Sequence, residues 1–311
     1  MMLKNEKIIE AFAKRDLDAL SEFAKPQKRE LNSSLNFSSA IMVSCNKIEH
    51  LLKLDDLKAD AIILNLEDGV SSEDKPFALL LCAIILSNYT KSNKKFIVRV
   101  NALDAGGFDE IAYLNQFAPD AIRVPKIRSY EEVFAVCELL RDDTELHLSI
   151  ETKEAWLGMS ELAKSQKVRA FYLGVLDLFA DLGLSQDLIN INNPTMNYML
   201  SHFLITSRSL GIKPVSFVYQ EHENLAGFRE WVSLERQMGY DAKGCISPKQ
   251  VDIVNEIYAP DLEAIKRAKE IKRLFELNQK EGITGFASKE FGFIDEPIYK
   301  GALMLLSRSS I

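Results

Sequence analysis

The sequence has little of what marks a thiolate-metal, secreted, membrane or nucleic-acid-binding protein. Its four cysteines, Cys45, Cys82, Cys137 and Cys245, stand far apart with no CxxC pair. A thiolate zinc site or a disulfide framework is therefore not expected. The four histidines show no metal-ligand spacing either, so any metal should be a hard cation held by carboxylates. Basic residues are outnumbered, 38 Lys and Arg against 45 Asp and Glu for a net charge of −7, which argues against a nucleic-acid partner. No run reaches the roughly 18 apolar residues needed to cross a bilayer. The longest, "FALLLCAIIL" at 77–86, reads as a buried helix. The N-terminal "MMLKNEKIIEAFAKRDLDAL" carries charges throughout and lacks the apolar core of a signal peptide. A cytoplasmic protein with reduced thiols and no membrane partner is the expectation.

What is present is a recurring alternation. Short, nearly continuous apolar runs lie at 39–44, 60–66, 96–101, 120–125, 145–151, 170–175, 214–219 and 242–247. Such runs suit strands buried on both faces. Between them, "NKIEHLLKLDDL", "SYEEVFAVCELL" and "FREWVSLERQMG" repeat apolar residues at helical spacing. Eight βα units predict an α/β fold of the (β/α)8 TIM-barrel type over residues 31–260. A doubly wound sheet is second choice, because no GxGxxG loop accompanies the strands. Residues 1–30 read as an amphipathic N-terminal helix ending near Pro26. Residues 261–311 read as a C-terminal extension of two helices around a glycine-containing lid loop, "EGITGFASKEFGFIDEP".

Active sites of such barrels sit at the carboxyl ends of the strands. There the sequence places Glu67 with Asp68, Arg99 with Asn101, Lys126, Glu151 and Asp177. Two adjacent carboxylates closing the run "AIILNL" cost free energy unless a cation, water or hydrogen-bond donors compensate them. Glu151 and Asp177, at consecutive strand ends, can share a Mg²⁺ ion, which commonly takes one or two protein carboxylates and fills its octahedron with water and substrate oxygens. Arg99 inside "FIVRVN" needs an anionic partner, either a substrate carboxylate or Glu67. Lys126 suits an anionic substrate as well, and Asn101 is a candidate substrate-binding residue beside Arg99. Structural alternatives stand beside each reading: helix N-terminal roles for Glu151 and Asp177, an ion pair for Arg99, solvation for Lys126, and a turn at Asp68 before Gly69.

The stretches "ADAIILNLEDGVSSEDK", "FIVRVN", "AIRVPKI", "SIETKEAW", "YLGVLDLFADLG", "YDAKGCISPKQVDIVNEIYAP" and "FGFIDEPIYKGA" follow one another between about residues 38 and 307. In that order they resemble the citrate lyase β-subunit-like proteins of the HpcH/HpaI aldolase superfamily. The resemblance implies a barrel enzyme that cleaves or forms a carbon–carbon bond beside a metal-bound 2-oxo acid, acting on citryl-, malyl- or similar acyl-CoA or acyl-carrier thioesters. It implies Mg²⁺ (or Mn²⁺) at Glu151 and Asp177, Arg99 as the substrate-binding arginine, and Glu67 and Asp68 as the acidic pair near the metal. It further implies lid acids at Asp295 and Glu290, and a homotrimer or hexamer in which the lid serves a neighbouring subunit.

The chain also departs from that family's pattern. Its first strand lacks the usual basic start, Leu79 stands where an arginine is usual, and "YML" at 198–200 replaces a Tyr-x-Arg. Ser216 stands where an aspartate usually closes the seventh strand, and Ser247 begins the "SPKQ" that is usually His-Pro-x-x-Gln. These changes bear on the acyl carrier more than on the metal. A lyase on a citryl- or malyl-type thioester is the leading expectation. A 2-oxo acid aldolase, a thioesterase or synthase variant without CoA, or a non-catalytic binding or scaffold descendant are the alternatives.

Overall fold

In the computed structural model, which describes residues 5–309, the apolar runs become eight parallel strands. They are β1 (Ser39–Ser44), β2 (Ala61–Asn65), β3 (Lys95–Arg99), β4 (Ala121–Val124), β5 (Glu145–Ile150), β6 (Val168–Leu173), β7 (Lys213–Val215) and β8 (Lys243–Cys245). From β1 to β7 each pairs with its neighbour in sequence, and β1 also pairs with β8. A single bridge, Ser216 to Lys243, joins β7 to β8. The sheet is thus a nearly closed (β/α)8 barrel, not a doubly wound layer. Alternate strand residues fill its interior: Ala40, Ala61, Ile63, Ile97, Ala121 and Ala170 pack in one cluster with Tyr172 and Val215. The intervening residues, such as Ile62, Leu64, Phe96 and Val98, are equally buried, facing the surrounding helices as parallel strands require.

The seam between β7 and β8 lacks a full ladder, and side chains replace it. The Lys243 ammonium lies 2.6 Å from Glu235 Oε1, with both side chains 0% exposed. It also donates to the carbonyl of Phe217 at 2.9 Å. Ser216 Oγ donates to the same Glu235 oxygen at 2.7 Å. Burial pushes the Lys243 ammonium below its usual range, and the Glu235 charge pulls it back only in part. Glu235 comes from the helix Leu225–Met238, so the seam is tied to the outer layer as well as across the sheet.

Two expectations about the ends need correction. The segment 1–30 is not one helix but two short ones, Glu6–Ala13 and Leu17–Ser21; its first four residues lie outside the described residues. Arg15 takes a left-handed φ of 54°, and Asp16 starts the second helix by accepting the amide of Ala19 at 3.0 Å, so a local cap overrides the longer periodicity. The stretch 281–297 is not a loop but a hairpin of β9 (Gly285–Ser288) and β10 (Gly292–Asp295). Among the intervening helices, "NKIEHLLKLDDL" keeps one α-turn, Ile48–Leu51, and a 3₁₀ turn, Leu54–Asp56; Lys47 provides no side-chain cap for a longer helix.

The chain divides into two compact units, one reaching Ile257 and the other beginning at Tyr258. The second has its own core of Ala268, Ile271, Phe275, Ile294 and Ala302, with Tyr299 stacked on Phe275 at 4.4 Å between ring centres. No helix among the described residues is long and apolar enough to cross a membrane.

Candidate active site

β2 ends in Asn65, whose amide group donates to the carbonyl of Asp68 at 2.6 Å. Gly69 follows with φ 83°, and Val70 N–H closes on the carbonyl of Glu67 at 3.1 Å. The two carboxylates therefore stand on a tight turn at the barrel mouth, so turn and mouth are one feature. Asn65 is in register with Arg99 on β3, which brings the guanidinium to the same height. Arg99 Nη2 forms a close ion pair with Glu67 Oε2 and a second with Asp68 at 3.2 Å. Lys126 Nζ lies 3.0 Å from Glu67 Oε1, near enough for ion pairing but out of line for a hydrogen bond, so that this buried oxygen finds no donor. Arg99 Nε is also buried without an acceptor. Burial pushes the Asp68 carboxyl up, but its contact with Glu67 and the charges of Arg99 and Lys126 outweigh this and hold it below the usual carboxylate range.

Glu151 closes β5 and is 2% exposed. It caps no helix, because Thr152 does so by accepting the amide of Ala155 at 3.1 Å. Glu151 Oε1 instead accepts the backbone N–H of Lys126 at 2.8 Å, and Lys126 adopts a left-handed φ of 53°. A non-glycine residue in that conformation stores strain of the kind found at functional sites. Burial drives the Glu151 carboxyl above its ordinary value, with Arg99 and Arg123 pulling it back and Asp177 adding to the rise. Asp177 stands in the first turn of the helix Val175–Asp181, whose N-cap is Gly174. A Cβ built on Gly174 would collide with the Glu151 carboxylate and come within 2.5 Å of its Cβ. Gly174 is thus the space in which the Glu151 side chain lies. Gly174→Ala is expected to rotate that carboxylate and weaken divalent-metal binding about 10–100-fold, checked by titrating Mg²⁺ against the melting temperature; unchanged affinity would reject this role for the glycine.

A cavity of about 420 Å³ opens between these strand ends, lined by Met42, Asp68, Arg99, Arg123, Glu151 and Asp177 among others. Among the described residues, no cluster of three or more His, Cys, Asp or Glu side chains is arranged to hold a metal. The two-carboxylate pattern nevertheless fits a hard cation. Asp177 makes no hydrogen bond or ion pair among the described residues, and Glu151 commits only Oε1. Two acids with uncommitted oxygens on one cavity wall are a donor set of the right chemistry for Mg²⁺ or Mn²⁺ completed by water and substrate.

Asn101 lies apart from that wall: its backbone N–H donates to Glu110 at 2.7 Å, and its side chain engages Glu110 and Lys75. Glu290 is exposed on the hairpin, and Asp295 Oδ1 accepts the amide of Ile298 at 3.2 Å at the start of the last helix. Both belong to the second unit. The residue sequence reasoning missed is Arg123, the register partner of Arg99 on β4. The signal was available, since Arg123 interrupts the apolar run "DAIRVP" as Arg99 interrupts "FIVRVN".

An eight-stranded parallel barrel with acids and guanidinium groups gathered at the carboxyl ends of its strands defines a barrel protein of the enzyme type. A model of the HpcH/HpaI aldolase/citrate lyase family matches residues 41–248, and the chain belongs to that family. Its relatives are enzymes. A (3S)-malyl-CoA thioesterase of Cereibacter sphaeroides is 30% identical over 247 residues, covering 79% of this chain and 85% of the relative. The citrate lyase β subunit of Escherichia coli is 27% identical over 265 residues, covering 81% and 86%. The fold matches a citrate lyase from Burkholderia xenovorans with a TM-score of 0.73 at 18% identity, over 92% of this chain and 95% of that one. It also matches CitE of Mycobacterium tuberculosis, solved with magnesium, acetoacetate and coenzyme A, with a TM-score of 0.67 at 24% identity, over 88% and 98%.

Proposed function

We propose that the protein is a Mg²⁺-dependent carbon–carbon lyase acting on a 2-oxo or 2-hydroxy acid, such as a malyl- or citryl-thioester. The observation that carries this reading is the pair Glu151 and Asp177, with uncommitted oxygens in the same cavity as the Arg99 guanidinium. These two acids hold the divalent cation. When bound, that cation supplies a Lewis acid which polarises a keto oxygen and stabilises charge developing on it. Arg99, steadied by Glu67 and Asp68, lines the cavity and offers its guanidinium charge to the acid's carboxylate or enolate. Asp68, ionised and reaching solvent, takes the proton of the hydroxyl that collapses to a carbonyl, while the electron pair of the breaking carbon–carbon bond passes to the thioester enolate, whose carbon then takes that proton back. Lys126 fixes Glu151 through its amide and balances Glu67 through its ammonium. On this reading the second unit, with Asp295 and Glu290, is a lid in a homotrimer or hexamer that keeps water from the carbanion, and Asn101 braces the mouth from behind.

The kinship with a malyl-CoA thioesterase supports a second reading, hydrolysis of the same thioester. Products separate the two: a lyase converts malyl-CoA to acetyl-CoA and glyoxylate, whereas a thioesterase yields malate and free CoA. Proton exchange tests the carbon chemistry itself. With protein and Mg²⁺ in deuterium oxide, acetyl-CoA should exchange its α-protons under the lyase reading, and free pyruvate under an aldolase variant. Exchange in neither, no release of free CoA from malyl-CoA and no effect of Mg²⁺ on melting would together leave a non-catalytic binding protein.

A further inference from the structure

Of three cations around the mouth among the described residues, two are already neutralised: Arg99 by Glu67 and Asp68, and Lys126 by Glu67. Arg123 is not. It is 5% exposed and lines the cavity. Among the described residues its one hydrogen bond runs from Nε to Ser149 Oγ at 2.9 Å, and no carboxylate reaches ion-pairing distance. A guanidinium taken from water without a counter-ion costs several kcal/mol. Burial accordingly pushes this group down to about 10, with the neighbouring Arg99 adding to the fall.

The surroundings hold Arg123 in place without neutralising it. Its guanidinium carbon sits 4.2 Å from the centre of the Tyr172 ring, a stacking that offsets part of the cost. The Tyr172 hydroxyl donates to His147 Nδ1 at 3.2 Å, and His147 Nε2 donates to Glu145 at 3.1 Å. Glu145 in turn pairs with the buried Lys95 at 2.8 Å. Burial keeps the His147 imidazole below its ordinary value, though Glu145 opposes this; the neutral tautomer, protonated on Nε2, satisfies both bonds. A chain of hydrogen bonds and ion pairs through the barrel interior therefore ends in a fixed ring face beneath Arg123. With Nε committed to Ser149, the two Nη groups are left for whatever enters the cavity. Ser149 lies two residues before Glu151 on the chain, so the guanidinium sits deeper than the Glu151–Asp177 wall.

We infer that Arg123 receives a second acid group of the substrate, the one remote from Glu151 and Asp177, and so selects doubly charged 2-oxo acids over singly charged ones. This rests on the proposed function, which places the oxo oxygen at the cation held by that wall and the first acid group beside Arg99. A short dicarboxylate spans wall and floor; a monocarboxylate leaves the floor cation unpaired. Arg123 makes no bond and moves no proton in the reaction; it is a specificity-determining residue.

Oxaloacetate and pyruvate differ by the one carboxylate in question and are the probes, titrated calorimetrically into the intact protein with saturating Mg²⁺. The unaltered protein should bind oxaloacetate about tenfold or more tighter than pyruvate, the value of a charged hydrogen-bond pair. Arg123→Met should erase that preference by weakening oxaloacetate while pyruvate stays within about twofold. Arg123→Lys should retain part of it, because a point charge replaces a two-pronged donor. An oxaloacetate preference that survives in Arg123→Met overturns the inference alone. If Arg123→Met does not fold, an undiminished preference in folded Arg123→Lys overturns it. Failure of the unaltered protein to bind either acid overturns the proposed function together with it.

Discussion

On the proposed reading Mg²⁺ stabilises the unaltered protein, and Glu151→Gln combined with Asp177→Asn should abolish that stabilisation and activity with it. At a free Mg²⁺ concentration of 100 times the dissociation constant, binding to the folded state alone is worth about 2.7 kcal/mol. That whole increment should vanish in the double variant. The metal-free variant, by contrast, should be as stable as the unaltered protein or more so. Glu151 is buried and disfavoured as an anion, so a neutral amide of the same shape removes a desolvation cost while its oxygen still accepts the Lys126 amide. Activity and metal-free stability thus move in opposite directions, which misfolding would not produce. Thermal melts with and without Mg²⁺ decide the matter: a double variant that Mg²⁺ stabilises as much as before would place the ion elsewhere.

The second large effect lies at the barrel seam. Lys243→Met should destabilise the fold by about 3–5 kcal/mol, the range for breaking a buried ion pair from one side. It removes the ammonium from beside the Glu235 carboxylate and loses the bond to the Phe217 carbonyl. Adding Glu235→Leu should recover most of the loss, because well-packed apolar residues commonly replace a buried pair with little cost. The Ser216 hydroxyl, deprived of its acceptor, leaves a remainder of about 1 kcal/mol. Chemical denaturation of the three proteins checks this. A double variant no more stable than Lys243→Met alone would show that the seam needs these charges, not merely their pairing.

Much of the fold was legible because burial on both faces writes each barrel strand as an apolar run, and eight of those runs became the eight strands. What local patterning could not show were features settled over a few residues. The hairpin strands Gly285–Ser288 and Gly292–Asp295 have four residues each, too few for a period-two pattern to stand out from a loop. The N-terminal break depends on one capping aspartate and one left-handed arginine. At the mouth, the charged strand ends were visible as interruptions of apolar runs, and Glu67, Asp68, Arg99, Glu151 and Asp177 were named from them. Arg123 obeys the same rule but lies before its strand end, which Lys126 marks. Its pairing with Arg99 is a matter of register between strands, which no single sequence displays. Gly174 was invisible for a related reason: its meaning is the Glu151 side chain of another strand.

The cross-linked charges at the mouth also bear on the order in which ligands arrive. Glu67, Asp68, Glu151 and Asp177 present four carboxylates against the three cations Arg99, Arg123 and Lys126. With Glu151 protonated, the form burial favours, these charges balance; with it ionised the vestibule carries a net negative charge that repels an approaching dianion within about the 8–10 Å screening length. A divalent cation reverses that sign. On the proposed reading, a bound cation therefore favours the arrival of the acid, and cation before acid is the preferred order. Arg99, paired with two carboxylates, adds little to the attraction of an anion, which leaves Arg123 and the bound cation to supply it.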